Sequence, residues 1–165
     1  MTATTQSFQH TLQDITATAA LGKELGRIAQ QGDVILLHGD LGVGKTTLTQ
    51  FIAQGLEVPA DQYVSSPSFA LMHEYPGRLP LFHMDCYRLT GEEDIEGAGL
   101  ADYIGGPGLT IIEWPDRLGS LRPQERLDLF LEAIDETTRT CVLQPHGAAW
   151  CSRIAALSNS SAEQR

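Results

Sequence analysis

Apolar positions along this chain follow two rhythms. Val34-Ile35-Leu36-Leu37 is an unbroken apolar run, as expected of a strand buried on both faces. Leu109-Thr110-Ile111-Ile112, apolar but for Thr110, reads as a second buried strand and closes on Glu113-Trp114. Looser alternation over residues 6–12 (Phe8, His10, Leu12) predicts an edge strand. Ile15, Leu21, Leu25 and Ile28 recur at helical spacing. They predict a helix capped by Asp14 or Thr16, running to about Gln31 and closed by Gly32-Asp33. A second helix is expected from Lys45 to near Gly55, burying Leu48, Phe51 and Ile52.

Residues 69–75 and 79–87 read as an antiparallel hairpin around Pro76-Gly77. Residues 92–103 are acidic at their start, which suits the positive end of a helix dipole, and a helix is expected there. Residues 126–134 and 138–143 predict a closing hairpin around Asp135-Glu136-Thr137, followed by a last helix over 148–157. Residues 1–5 and 158–165 read as frayed tails. With no repeat and no linker, the economical organisation is one α/β domain, 1–165, around a mixed sheet.

The first apolar run leads directly into Gly39-Asp40-Leu41-Gly42-Val43-Gly44-Lys45-Thr46, which fits Gly-x-x-x-x-Gly-Lys-Thr, a phosphate-binding loop. Each residue type has a physical reason. Glycines let the backbone turn tightly and bring its N–H groups to phosphate oxygens. The helix starting at Lys45 aims its positive end at the same place. Lys45 adds a point charge for the β/γ-phosphates, Thr46 offers a hydroxyl to Mg²⁺, and Thr47 falls near the α-phosphate. The chain has two lysines, Lys23 and Lys45, and one occupies the required position.

Hydrolysis needs more than a cradle: a carboxylate must face the metal from a second strand, and a group must orient water. Two strand-end carboxylates qualify. Glu113 lies where a parallel strand would deliver it to the loop, as a metal ligand. Asp85 is the other, for positioning water or supporting the metal, unless it pairs with Arg88. Ser66-Pro67-Ser68 is a candidate segment ordered by the γ-phosphate, or a plain surface turn. Trp114 reads as core or as a partner contact. His38, His73 and His83 lack metal-ligand spacing and read as ordinary sheet residues.

Composition narrows the functions. Eleven Lys and Arg against 21 Asp and Glu give a net charge of −10, and phosphate neutralisation supplies most nucleic-acid affinity. The chain is therefore a poor solo binder of RNA or DNA. No apolar run approaches the roughly 18 residues of a membrane span. No basic-then-apolar leader is visible at the N-terminus. Cys86, Cys141 and Cys151 are odd in number and far apart, which fits reduced thiols and a cytoplasmic protein.

Taken together, the phosphate loop, Ser66-Pro67-Ser68-Phe69, His83-Met84-Asp85-Cys86-Tyr87-Arg88-Leu89 and Ile112-Glu113-Trp114-Pro115 resemble the TsaE (also called YjeE) family in order and spacing over residues 14–140. That is a family of small bacterial ATPases required for threonylcarbamoyladenosine modification of tRNA. The resemblance implies a P-loop NTPase-like three-layer α/β sandwich around a mixed sheet of about seven strands. It implies ATP and Mg²⁺ as ligands and slow, partner-dependent hydrolysis. The implied partners are TsaB and TsaD, with TsaD transferring the threonylcarbamoyl group to adenosine 37 of tRNAs that read codons starting with A, and the tRNA met only through that complex.

Carried over by position, Thr46 and Glu113 are the implied Mg²⁺ ligands. Gly42, Val43, Gly44, Lys45, Thr46, Thr47 and Leu48 would form the cradle. Lys45, Asp85 and Glu113 would serve catalysis, with residues 66–68 as the switch, and Ile15 and Thr138 would lie near the adenine. The family usually has Thr-Tyr where this chain has Ser68-Phe69, so a hydroxyl is missing there. A small-molecule kinase using the same loop is the alternative, but it would need a basic lid, and Arg78, Arg88, Arg117, Arg122 and Arg126 are scattered.

Overall fold

The structure is a computed structural model that describes residues 5–163. The N-terminal alternation forms β1 (Phe8–Leu12), and Asp14 then caps α1 (Ile15–Ile28), its Oδ1 accepting from the Ala17 amide at 2.9 Å. The apolar run forms β2 (Val34–His38), and the phosphate loop delivers the chain into α2 (Lys45–Gly55). β3 (Met72–Tyr75) and β4 (Leu81–Asp85) make the predicted antiparallel hairpin. After α3 (Glu92–Gly97) come β5 (Leu109–Glu113), the hairpin of β6 (Arg126–Ala133) and β7 (Arg139–His146), and α4 (Ala148–Glu163). Among the described residues, no helix is long and apolar enough to cross a membrane.

The seven strands form one sheet in the order β1-β7-β6-β2-β5-β4-β3. The four in the middle, β6, β2, β5 and β4, are mutually parallel; β7 and β3 flank them antiparallel, and β1, antiparallel to β7 at the edge, runs in the direction of the central four. Side chains alternate across a strand, so the run in β2 feeds two cores. Ile35 and Leu37 pack with Leu25 of α1, Leu48 and Ile52 of α2 and Trp150 and Ile154 of α4. Val34 and Leu36 pack on the other face with Met84, Ile112, Ile95 of α3 and Leu118. Burying a side chain of this size contributes about 1.5–3 kcal/mol, so the central strands anchor both layers.

Four expectations are corrected. The strand expected over 69–75 begins only at Met72. The Leu71 amide instead donates to the Pro67 carbonyl at 2.7 Å, with Leu71 in the left-handed region at φ 67°. The acidic helix expected over 92–103 stops at Gly97. Gly99 takes φ 76°, and the Leu100 and Gly99 amides donate back to the Ile95 and Glu96 carbonyls, closing a Schellman end. A separate 3-10 turn then covers Ala101–Tyr103. Phe51, expected to be buried, is only half-buried. The last helix does not end at 157: Trp150, Ile154 and Leu157 keep one face in the core, and the helix continues to Glu163. Of the frayed tails expected at 1–5 and 158–165, residues 1–4 and 164–165 lie outside the described residues.

Candidate functional site

The register of the sheet builds the acidic half of the site. β4 and β5 are parallel, with Asp85 opposite Glu113 and His83 opposite Ile111. Leu81 and Ile111 face the α2 core, so by alternation His83, Asp85 and Glu113 face it too. Two carboxylates therefore stand side by side at the carboxyl ends of parallel strands, where ligands sit in open α/β sheets. Both are buried, at 5% and 4% exposure.

The phosphate loop builds the other half. Gly44 adopts φ 115°, ψ 21°, which an L side chain rarely takes, so the turn into α2 depends on glycine. At Gly39, a Cβ would meet the Leu131 carbonyl at 2.9 Å, so the loop can hug β6 only without a side chain there. Among the described residues, no group accepts a hydrogen bond from the amides of Gly42, Gly44, Lys45, Thr46 or Thr47. A run of open N–H groups at a helix N-terminus is an anion cradle. Leu48 is not part of it: its side chain is fully buried in the core, and its amide donates to the Gly44 carbonyl at 2.9 Å. The Val43 amide is engaged as well, with the Asp40 carbonyl at 3.2 Å.

The two halves face each other across a cavity of about 440 Å³ lined by loop residues 41–42 and 44–47 and by Ser66, Ser68, Asp85, Tyr87, Arg88, Glu113 and Trp114. The Lys45 Nζ donates to the Gly39 carbonyl at 2.6 Å and stands 4.2 Å over the Trp114 ring. Burial lowers the Lys45 pKa, and the charges of Glu113, Asp85 and Asp40 partly offset this. Asp85 accepts from Ser66 and Ser68 Oγ at 3.0 and 3.4 Å and from the Tyr87 amide at 2.9 Å. It is thus tied to the candidate switch, and the structure gives it no bond to Arg88. The Arg88 guanidinium lies 4.1 Å over the ring of Phe69, which is 84% exposed. Trp114, half-buried at φ 58°, packs against Tyr87 at 5.0 Å and lines the cavity.

His83 was read as an ordinary sheet residue, and the structure corrects that. It is fully buried, its Nε2 lies 2.9 Å from Glu113 Oε2, and its Nδ1 has no partner. With Nε2 as donor, the imidazole fixes the Glu113 carboxylate from behind, as outer partners of metal ligands do. The two-residue spacing to Asp85 was the available signal. His38 likewise bonds Asp128, at 2.7 Å, on the opposite face of the sheet.

Thr46 and Glu113 supply hard oxygen donors, the set Mg²⁺ takes when phosphates complete its shell. No group of three or more His, Cys, Asp or Glu that could hold a metal by itself occurs among the described residues. A second cavity of about 310 Å³ adjoins the first through Gly44 and Thr47 and includes Asp14, Ile15, Val43, Leu131, Thr137 and Arg139. Ile15, 64% exposed, thus faces this second cavity. Thr138 does not line it: the Thr138 amide donates to Asp135 Oδ1 at 2.8 Å, and its neighbours Thr137 and Arg139 reach the cavity instead.

The family described as "Threonylcarbamoyl adenosine biosynthesis protein TsaE" matches residues 12–141. The "tRNA threonylcarbamoyladenosine biosynthesis protein TsaE" of Bacillus subtilis is 41% identical over 123 residues, covering 74% of this chain and 75% of that protein. The protein of the same name from a Nostoc species is 40% identical over 139 residues, 81% and 83% of the two chains. Among solved structures, Bacillus subtilis YdiB superposes with a TM-score of 0.81 at 30% identity, over 97% of this chain and 99% of that one.

Proposed function

The chain belongs to the TsaE family of tRNA threonylcarbamoyladenosine biosynthesis proteins, and from that premise we propose that it binds ATP with Mg²⁺ and hydrolyses it under the control of TsaB and TsaD. One observation carries the proposal. The open amides of residues 44–47 and the Lys45 ammonium converge on one cavity with the Asp85–Glu113 pair. The amides and Lys45 hold the triphosphate, and the second cavity takes the nucleoside against Ile15 and Thr137. Thr46 and Glu113 would hold Mg²⁺, which would supply neutralisation of phosphate charge. Asp85 orients the attacking water and senses the switch through Ser66 and Ser68. With a net charge of −10, the protein leaves tRNA to its partners.

Titration of the full chain with ATP, in Mg²⁺ and in EDTA, tests the site. Phosphate release with and without TsaB–TsaD tests the control. Mg²⁺-dependent binding and slow turnover that TsaB–TsaD changes are the expected results. No binding in Mg²⁺ would refute the site, and turnover indifferent to TsaB–TsaD would refute the partners' role.

A further inference from the structure

The phosphate loop is held from outside by a residue that no phosphate-loop pattern contains. Arg139, the first residue of β7, donates from Nε to the Val43 carbonyl at 2.8 Å. Its Nη1 donates to the Asp135 and Thr138 carbonyls at 2.8 and 3.1 Å. The turn at the far end of this fork is itself stiff, since Asp135 Oδ1 accepts from the Thr137 and Thr138 amides at 2.9 and 2.8 Å.

We propose that Arg139 is a positioning residue that sets the orientation of the Val43–Gly44 peptide and so aims the Gly44 N–H into the triphosphate cradle. The peptide is trans, so its N–H points opposite to its carbonyl. Val43 lines the second cavity and Gly44 lines both, so this peptide plane stands between them. Gly44 has no Cβ to restrict rotation, and a flipped plane would present a carbonyl oxygen to the phosphates in place of a donor. The planar guanidinium reaches three carbonyls at once and selects the productive orientation before ligand arrives. The fork also joins the phosphate loop to the turn beside the second cavity.

This inference rests on the reading of the loop as a triphosphate site. The test titrates the full chain with Mg²⁺ and either ATP or inorganic tripolyphosphate, which lacks the nucleoside. Arg139→Ala is expected to weaken both ligands by the same factor, about tenfold, the worth of one charge-assisted hydrogen bond. The factor should persist near 0.5 M salt, where the Debye length is roughly 4 Å.

A loss confined to ATP would make Arg139 a nucleoside contact and overturn the proposal. A factor that vanishes at high salt would reduce Arg139 to plain charge attraction, and an unchanged affinity would leave it no role. Arg139→Lys keeps the charge and the aliphatic stem, which protects against loss of the fold. It is expected to weaken both ligands as well, and full affinity in that variant would also refute the fork. Wild-type protein that bound neither ligand would sink the triphosphate reading itself, and this inference with it.

Discussion

Two buried acidic groups sit on opposite faces of the same sheet, and their partners differ. Asp128 in β6 lies on the face of Leu36 and is 3% exposed. It meets His38 Nε2 at 2.7 Å, Arg126 Nε at 2.9 Å and His146 Nε2 at 3.2 Å. Burial opposes its ionisation, but the His38 hydrogen bond and the Arg126 charge outweigh this and hold its carboxyl below the usual carboxylate range. On the other face, Asp85 and Glu113 share one imidazole, two hydroxyls and one amide. Among the described residues, neither forms an ion pair with a lysine or arginine, and Lys45, which faces them, is bonded to a carbonyl. One acid is compensated and serves the fold. The other two, in the function proposed above, would face the Mg²⁺ that comes with ATP.

Removing the compensated acid should cost the most. Asp128→Ala leaves Arg126 and two imidazoles without their anion, and breaking a buried pair costs about 3–5 kcal/mol. Urea unfolding is the measurement, and an unchanged midpoint would erase the contrast between the two faces. Lys45→Ala acts on the other side of the comparison. It should cost about 2–4 kcal/mol of ATP affinity by titration while leaving the unfolding midpoint near wild type. Undiminished affinity would remove Lys45 from the cradle.

Glu113→Gln sharpens the contrast further. It removes one of two adjacent carboxylates, so the apo protein should unfold no more easily than wild type, while Mg²⁺-dependent turnover falls about 100-fold. A marked loss of stability with normal turnover would place Glu113 with Asp128 as a structural acid. His83→Leu should be milder. It frees the Glu113 carboxylate to rotate and should raise the Mg²⁺ concentration for half-maximal ATP binding about tenfold. His83→Gln, which keeps a donor, should restore much of that, and equal losses in both variants would reduce His83 to packing.

The parts of this site that sequence exposed are those with local signatures. The glycine-lysine-threonine spacing and the apolar runs ending in Asp85 and Glu113 carry their geometry in a few consecutive residues. What sequence hid depends on register and on distance along the chain. The pairing of Asp85 opposite Glu113 follows from β4 lying beside β5, which no local pattern states. Arg139 reaches Val43 across 96 positions. The family resemblance places Leu48 in the cradle, but one residue further along a helix turns the side chain into the core and gives the amide a carbonyl. The same logic explains the broken acidic helix, where Gly99 in the left-handed region outweighs favourable charge at the helix start.

The smallest effect to measure is the pH dependence of the compensated acid, and its sign follows from the direction of the shift. The folded Asp128 carboxyl holds its proton less tightly than the unfolded one. Its contribution to stability is therefore present above the ordinary aspartate pKa of about 4 and is lost as pH falls further, through the folded value. The neighbouring His146 titrates in a separate window. Burial and the Arg126 charge lower its pKa, so the unfolded chain takes up the proton first and stability declines as pH drops below about 6.5. Melting temperatures of wild type and Asp128→Asn, compared below about pH 5, isolate the aspartate. The gap between them should narrow as pH falls past 4, because protonation removes from the wild type the charge that the variant already lacks. A gap that stays constant down to pH 3 would mean that shape, not charge, holds Asp128 in place, and the difference between the two faces of the sheet would lose its electrostatic cause.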